Sequence, residues 1–427
     1  MNANIFIPMI LLFICFIIRI PIGLGMIISC GTYFITAGVD LGIISDTIMS
    51  QLYASSVMIA IPLFIFTANI MSSGKVTEYM FTFVKALLGD KKGALAHLNI
   101  IISLIFSGMT GSAAADAAGL GLIEIEEMRK DGYDMPFSAA ITAATATVGP
   151  IFPPSIPMVI YAMLAQVSVG KLFLGGMVPA VLICLFLGIY VIFLSHKRNY
   201  PGGVKFSSQE FWKYTLRALP ALFTPLILLG GIYTGVVTAT EAGALAALYT
   251  ILISFFAYRV LTLRGLLRVI RDTALQTGKI FSVVIGAYVL SYTATSSGLG
   301  KLVSGWFLGL TDNKYLFLLI LNVMFLFLGM LFDTNVLEFV FLPLVIPVAS
   351  ALGIDLIHLG VILVVNMMIG SVTPPFGMMV FIASGIAREK VQSVFREVLP
   401  MATLMILVLV MITYFPPLIT FLPNILM

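Results

Sequence analysis

The sequence predicts an all-α polytopic membrane protein built from inverted repeats, each containing a re-entrant helical hairpin and a broken helix. Three observations predict it. Of 427 residues, 60% are hydrophobic and only 10% charged, against about 25% charged in soluble proteins, so the chain cannot cover a globular surface with polar groups. Its apolar runs, such as Ile5–Ile18, Val178–Leu194 and Met401–Phe415, run toward the ~20 residues of a spanning helix and lack the ~10-residue alternation of a barrel. Finally, two long apolar segments are interrupted at matching places, by GPIFPPSIPMV at Gly149–Val159 and by GSVTPPFGMMV at Gly370–Val380. Proline removes a donor and clashes with the preceding turn, and backbone groups freed in lipid cost several kcal/mol unless protein, water or an ion satisfies them.

In chain order, the apolar runs and their punctuation predict helices at 4–20, 21–39 and 50–72, then an amphipathic stretch at 76–90 flanked by Lys75, Lys91 and Lys92. The N-terminus lacks a basic leader and a small-residue cleavage site, so its first run is read as a retained helix. Ala94–Met128 is too long for one helix and is split by SGMTGSAAADAAG. A broken helix at 137–168 and a helix at 172–195 follow. A polar connector, His196 to Lys213 with PGG at 201–203, is the clearest boundary. The second half reads as helices at 219–236, 240–258 and 274–294, a polar stretch with Lys301, and Tyr315–Leu352 split at GMLFDTNVLEF. A broken helix at 357–387 and a last helix at 399–422 complete it.

The halves align without gaps at a separation of 221 residues. Gly108-Met109 matches Gly329-Met330, Gly132 and Asp134 match Gly353 and Asp355, and Gly149 matches Gly370. Pro153-Pro154 matches Pro374-Pro375, and Pro179 matches Pro400. Lys and Arg cluster after Arg19, at 75–92, at 129–130, at 196–217, at 259–279 and at 388–396, which the positive-inside rule places in the cytoplasm. These clusters fit one topology if Ala94–Met128 enters and leaves from the cytoplasm. Each repeat then crosses five times, an odd number, so the repeats are inverted, the second hairpin enters from the periplasmic side and both termini lie outside. The net charge of +4 belongs to these loops and not to a nucleic-acid surface.

Inverted repeats with discontinuous helices point to a secondary transporter whose site lies at the breaks. Ionisable residues at membrane depth are functional candidates by default. Asp116 follows the first hairpin tip and Asp333 lies in the second, with Ser112 in register with Asp333. Gly108, Gly111 and Gly329 permit tight turns. Each break offers carbonyls to a cation and amides to an anion. The expected cation sites are Gly108, Ser112, Thr147, Gly149 and Pro150 at the first pair, and Gly329, Asp333, Gly370, Val372 and Thr373 at the second. The expected substrate residues are Ser112, Asp116, Ser155 and Asp333. Na⁺ fits such a site, and protons on Asp116 and Asp333 are the alternative. Glu124, Glu126 and Glu127 read as a solvated, ion-paired hairpin end beside Arg129, and Glu241 as a first-turn residue. No cofactor or other metal is expected: the three histidines are scattered and no HExxH spacing occurs. No nucleophile–base pair and no GxxxxGK[ST] loop occurs, which argues against an enzyme and against direct ATP drive.

The stretches IPLFIFTANIMSSG (61–74), GMTGSAAADAAG (108–119), TVGPIFPPSIPMVIYA (147–162), GIYTGVVTATEAGA (231–244), GMLFDTNV (329–336) and GSVTPPFG (370–377) resemble the large membrane (M, DctM-like) subunit of tripartite ATP-independent periplasmic (TRAP) transporters, along nearly the whole chain. The first tip departs from that pattern conservatively, with Thr110 where serine is commoner. The resemblance implies an elevator-type, Na⁺-driven uptake system for organic acids in the bacterial inner membrane. Its partners would be a small four-helix membrane (Q) subunit and a periplasmic substrate-binding protein, with an acidic sugar such as sialic acid ahead of a C4-dicarboxylate as substrate. It also implies scaffold helices at 1–75, an amphipathic arm at 76–92 and a first transport half at 93–198. A connector with further scaffold helices follows at 199–295, then a second arm at 296–312 and a second transport half at 313–427. A stand-alone ion- or proton-coupled anion transporter or antiporter, needing no binding protein, is the competing reading.

Overall fold

The computed structural model describes every residue except 1, 2, 55, 73, 300, 301, 303, 304, 306–308 and 310. Helix is the only regular secondary structure among the described residues, apart from one isolated bridge between Lys92 and Gly202. The second arm expected at 296–312, with Lys301, lies largely outside them.

The first repeat opens with α1 (Ala3–Ile17) and α2 (Ile22–Ala37). The single helix expected at 50–72 is instead α3 (Gly42–Ala54), a 3₁₀ turn and α4 (Ala60–Met71), bent by 73°. The residues from Gly42 onward, expected as loop, are helical. The amphipathic stretch is α5 (Gly74–Leu88). The first hairpin is α6 (Ala94–Thr110) and α7 (Ala113–Lys130). The first broken helix is α8 (Met135–Ala146) and α9 (Ile156–Ala165), followed by α10 (Val169–Lys197).

The second repeat begins with α11 (Ser208–Tyr233), α12 (Ala239–Leu252, continued by one π turn to Ala257) and α13 (Leu263–Ser296). Both α11 and α13 start about a dozen residues before their apolar runs do. Their first turns are polar but capped: Ser207 and Glu210 form a capping box, and Thr262 accepts from the Gly265 amide, so helix continues beyond the point where hydropathy stops. The connector shrinks to 198–207. The second hairpin is α14 (Lys314–Leu331) and α15 (Thr334–Ala351), and the second broken helix is α16 (Leu356–Gly370) and α17 (Met378–Ala387). The last helix, expected unbroken, divides at Phe415-Pro416 into α18 (Val391–Tyr414) and α19 (Pro417–Leu426), because proline cannot continue the ladder.

The 221-residue register holds in three dimensions. Ala113–Lys130 maps onto Thr334–Ala351 at both ends, and Asp134 and Asp355 both stand before the helix that follows. Seven described helices are long and apolar enough to span a bilayer, or eight with the bent pair. Four of these, α10 to α13, together with the first broken helix, lie between the two hairpins in the chain.

Packing interleaves the two repeats. α7 packs on α8 and on α17, α8 packs on α17 and α18, and α9 packs on α15. Tyr161 of α9 donates to the Leu356 carbonyl at 2.7 Å, and Arg129 at the foot of α7 donates to the Ala387 carbonyl at 2.8 Å. A second group consists of α2 against α1 and α13, α4 against α12 and α13, and α11 against α12 and α5.

Candidate functional site

Each hairpin tip is made by a glycine or strand-like residue and a capping oxygen. At the first, Gly111 takes φ +60° and Ser112 accepts from the Ala115 amide at 3.4 Å. At the second, Phe332 is extended and Asp333 accepts from the Asn335 amide and side chain at 3.0 and 2.8 Å. The two register-matched oxygens thus hold the same job, capping the descending arm.

Both tips and both breaks face one cleft of about 100 Å³. Ser112, Asp333, Thr334, Asn335 and Ser371, with Pro150, line it, and Ile280 of α13 lies on one side. Of the residues expected at the site, this cleft brings together Ser112, Pro150 and Asp333. Asp116 is buried elsewhere: it accepts from Thr110 at 2.7 Å, and its Oδ2, with no hydrogen-bond partner among the described residues, lies against Gly149. Ser112 and Asp116 sit one turn apart, but Asp116 is turned back onto the ascending arm.

Close approach explains the glycines. A methyl on Gly149 would meet Asp116 Oδ2 at 2.5 Å, and one on Gly370 would meet the Gly329 backbone at 2.7 Å. A methyl on Gly108 would meet the Pro225 side chain at 2.9 Å, and one on Gly111 the Pro154 carbonyl at 2.6 Å. At Gly111 and at Gly370 the tip or ascending arm of a hairpin thus meets the backbone of its own break directly, whereas Gly149 makes room for the Asp116 carboxylate and Gly108 for Pro225 of α11.

The hydroxyls expected at the breaks are engaged locally. Ser155 caps α9 through the Met158 amide at 3.1 Å and donates to the Pro150 carbonyl. Thr147 donates to the Ala144 carbonyl at 2.6 Å and Thr373 to that of Ile369 at 2.7 Å. Val372 is buried, with its amide donating to the Ile369 carbonyl.

One reading needs correction and several residues went unseen. Glu124 is not at a solvated end: it is 3% exposed and its Oε1 has no hydrogen-bond partner among the described residues, with α8 and α17 packed on α7. Glu127 alone forms ion pairs, with Lys130 at 2.7 Å and Lys85 at 3.4 Å. Glu338 on α15 is fully buried and neither carboxylate oxygen has a hydrogen-bond partner among the described residues. The register could have found it, since it falls one residue from the counterpart of Asp116. Buried amides tie each ascending arm to the helix before its break. Asn99 donates to Thr142 at 2.7 Å in the first repeat, and Asn366 donates to Asn322 at 2.8 Å in the second. Glu241 does occupy the first turn of α12, in a capping box with Thr238.

The chain was compared with known proteins. The family model described as the tripartite ATP-independent periplasmic transporter, DctM component, matches residues 9–418. The sialic acid TRAP transporter large permease protein SiaM of Vibrio cholerae is 38% identical over 367 residues, covering 86% of each chain. The sialic acid TRAP transporter permease protein SiaT of Haemophilus influenzae is 36% identical over 427 residues, covering all of this chain and 69% of that one. The C4-dicarboxylate TRAP transporter large permease protein DctM of Pseudomonas aeruginosa is 33% identical over 367 residues, 86% of each. Among solved structures, the YdaH transporter of Alcanivorax borkumensis superposes with a TM-score of 0.64 at 16% identity, over 87% of this chain and 88% of that one. That likeness concerns the fold alone.

Proposed function

Because this chain belongs to the tripartite ATP-independent periplasmic transporters as a DctM component, we propose that it performs Na⁺-coupled uptake of an organic acid of the sialic acid type, by an elevator mechanism. The family consists of transporters, not enzymes, acting in organic-acid uptake with a small membrane subunit and a periplasmic binding protein. The observation that carries the finer reading is the single cleft faced by both tips and both breaks. Two inverted hairpins sharing one small cleft suit a substrate carried with its surroundings across a fixed frame.

In this reading the carboxylate substrate sits between Ser112 and Asp333, near the first-turn amides of α7 and α15, which attract anions. Asp116 and Ser155 hold the first tip and break in shape from behind. Na⁺ travels as cargo at each tip–break pair, with Gly108, Ser112, Thr147, Gly149 and Pro150 at one and Gly329, Asp333, Gly370, Val372 and Thr373 at the other. The moving body comprises 93–198 and 313–427. Residues 1–75 and 199–295 are the frame, and 76–92 and 296–312 are the arms. The protein lies in the bacterial inner membrane with both termini in the periplasm. An acidic sugar is favoured over a C4-dicarboxylate because the two sialic acid permeases compared are 38% and 36% identical, against 33% for DctM of P. aeruginosa.

The test is uptake of radiolabelled sialic acid into proteoliposomes holding both membrane subunits, with the cognate binding protein outside. Uptake is expected only with an inward Na⁺ gradient and loaded binding protein. Undiminished uptake after complete Na⁺ removal refutes the coupling, and undiminished uptake without binding protein refutes the tripartite mechanism. Uptake of succinate but not sialic acid refutes the substrate class.

A further inference from the structure

The connector after α10 plugs a niche at the base of the first hairpin. The Tyr200 ring stacks on Tyr133 at 4.6 Å and on Phe137 at 5.2 Å between centroids. Its hydroxyl donates to Asp134 Oδ2 at 2.8 Å, and Arg198 reaches the same oxygen at 3.3 Å. The Pro201 carbonyl accepts the Gly93 amide at 3.1 Å. Tyr200 is consequently 5% exposed.

The same niche recurs in the second repeat, where the described residues leave it open. Shifted by 221 residues, Gly93, Tyr133, Asp134 and Phe137 become Lys314, Ile354, Asp355 and His358, and these four line a cavity of about 200 Å³. The register counterpart of Tyr200 is Phe421, which lies on α19 and is 59% exposed instead of turning into the niche. Asp355 uses Oδ1 to cap α16 through the amides of Ile357 and His358, at 2.7 and 3.0 Å. Its other oxygen, the counterpart of the Asp134 oxygen that Tyr200 bonds, accepts nothing from the described residues. The cavity offers a ring-sized space beside an exposed carboxylate oxygen, which can accept a charge-assisted hydrogen bond from an incoming hydroxyl.

We propose that this niche at the base of the second hairpin receives an exposed tyrosine side chain of the periplasmic binding protein, ring against Ile354 and His358 and hydroxyl to Asp355, as Tyr200 seats in the first repeat. The proposal rests on the reading above that the second hairpin faces the periplasm and that a binding protein delivers the substrate. Lys314, exposed at the rim with its ammonium 5.2 Å from the Tyr315 ring centre, supplies a charge for an acidic neighbour of that tyrosine.

Benzoylphenylalanine placed at Lys314 in the complete transporter tests this, with the loaded binding protein as the probe. Illumination is expected to give an adduct with the binding protein at a segment bearing an exposed tyrosine, and changing that tyrosine to alanine is expected to abolish it. An adduct solely with the small membrane subunit, with lipid or with this chain overturns the proposal. Ile354→Trp fills the niche and is expected to raise the binding-protein concentration for half-maximal uptake about tenfold at unchanged maximal rate. Lys314→Glu, at an exposed helix start where an acidic residue is favourable, is expected to raise it about threefold if Ile354→Trp fails to assemble. Unchanged half-saturation in an assembled variant overturns the niche while leaving binding-protein dependence intact. Uptake by the unmodified transporter without any binding protein overturns the transport reading itself.

Discussion

At the first break, Pro153, Pro154 and Ser155 are buried, and Gly111 of the adjacent tip lies against the Pro154 carbonyl. At the second, Pro375 and Phe376 are exposed, and Gly377 begins α17 with φ +40° and no side-chain cap. The Pro-Pro pair occupies the same register in both. The difference comes from one position: Ser155, which ties the Pro150 carbonyl to the Met158 amide, is replaced in register by Phe376, which can do neither. The tips differ in the complementary sense, neutral Ser112 facing the sealed break and charged Asp333 facing the open one. An inverted repeat thus fixes where the backbone is interrupted, while single side chains decide how firmly each interruption is closed.

This comparison can be broken or sharpened. The largest effect is expected for Asp333→Asn, which keeps a capping oxygen and removes the charge. Losing a charged contact of about 3 kcal/mol lowers uptake about 100-fold, with an unaltered melting temperature. Ser112→Ala loses a neutral contact and lowers uptake about tenfold. Equal losses in the two variants would show that the tips are not distinguished by charge.

Next come the glycines, where Gly370→Ala sets a methyl against the Gly329 backbone and Gly149→Ala sets one against a carboxylate that can rotate. Gly370→Ala is expected to destabilise the assembled protein by about 2 kcal/mol in thermal unfolding. Gly149→Ala should retain stability and lose uptake, and the reverse order would contradict the contacts described. A smaller effect is expected of Ser155→Ala. It costs about 1 kcal/mol and raises hydrogen exchange at 150–156 toward that at 371–377; unchanged exchange would mean that the hydroxyl does not seal the break. The smallest is Ser207→Ala, which removes a cap on exposed α11 and lowers stability by about 1 kcal/mol or less. Uptake should be unaffected there, and a loss would assign the connector a part in transport.

Much of this architecture was legible because membrane helices and their breaks are written in composition. The Gly149 and Gly370 breaks, the hairpin tips at Ser112 and Asp333 and the 221-residue register all rest on Gly, Pro and charge, whose effects are local. Helix ends at Ser208 and Leu263 were missed because hydropathy ends before hydrogen bonding does, and a cap such as Ser207 carries the helix further. Glu124 was misread and Glu338 overlooked for a different reason: whether a carboxylate is buried depends on which helix covers it. For Glu124 the cover comes from α8 and, out of the other repeat, α17, and no local pattern encodes that. The orientation of Asp116 toward Thr110, away from the cleft, is likewise a tertiary fact.

The hydrogen bond from Arg129 to the Ala387 carbonyl spans 258 residues of sequence, and this has a consequence for biogenesis. At a synthesis rate of about 5–20 residues per second, the first hairpin waits on the order of tens of seconds in the bilayer before its cover is made. During that interval Glu124 lacks the cover of α17. A ribosome stalled before Met378 leaves a product that inserts but cannot complete this contact.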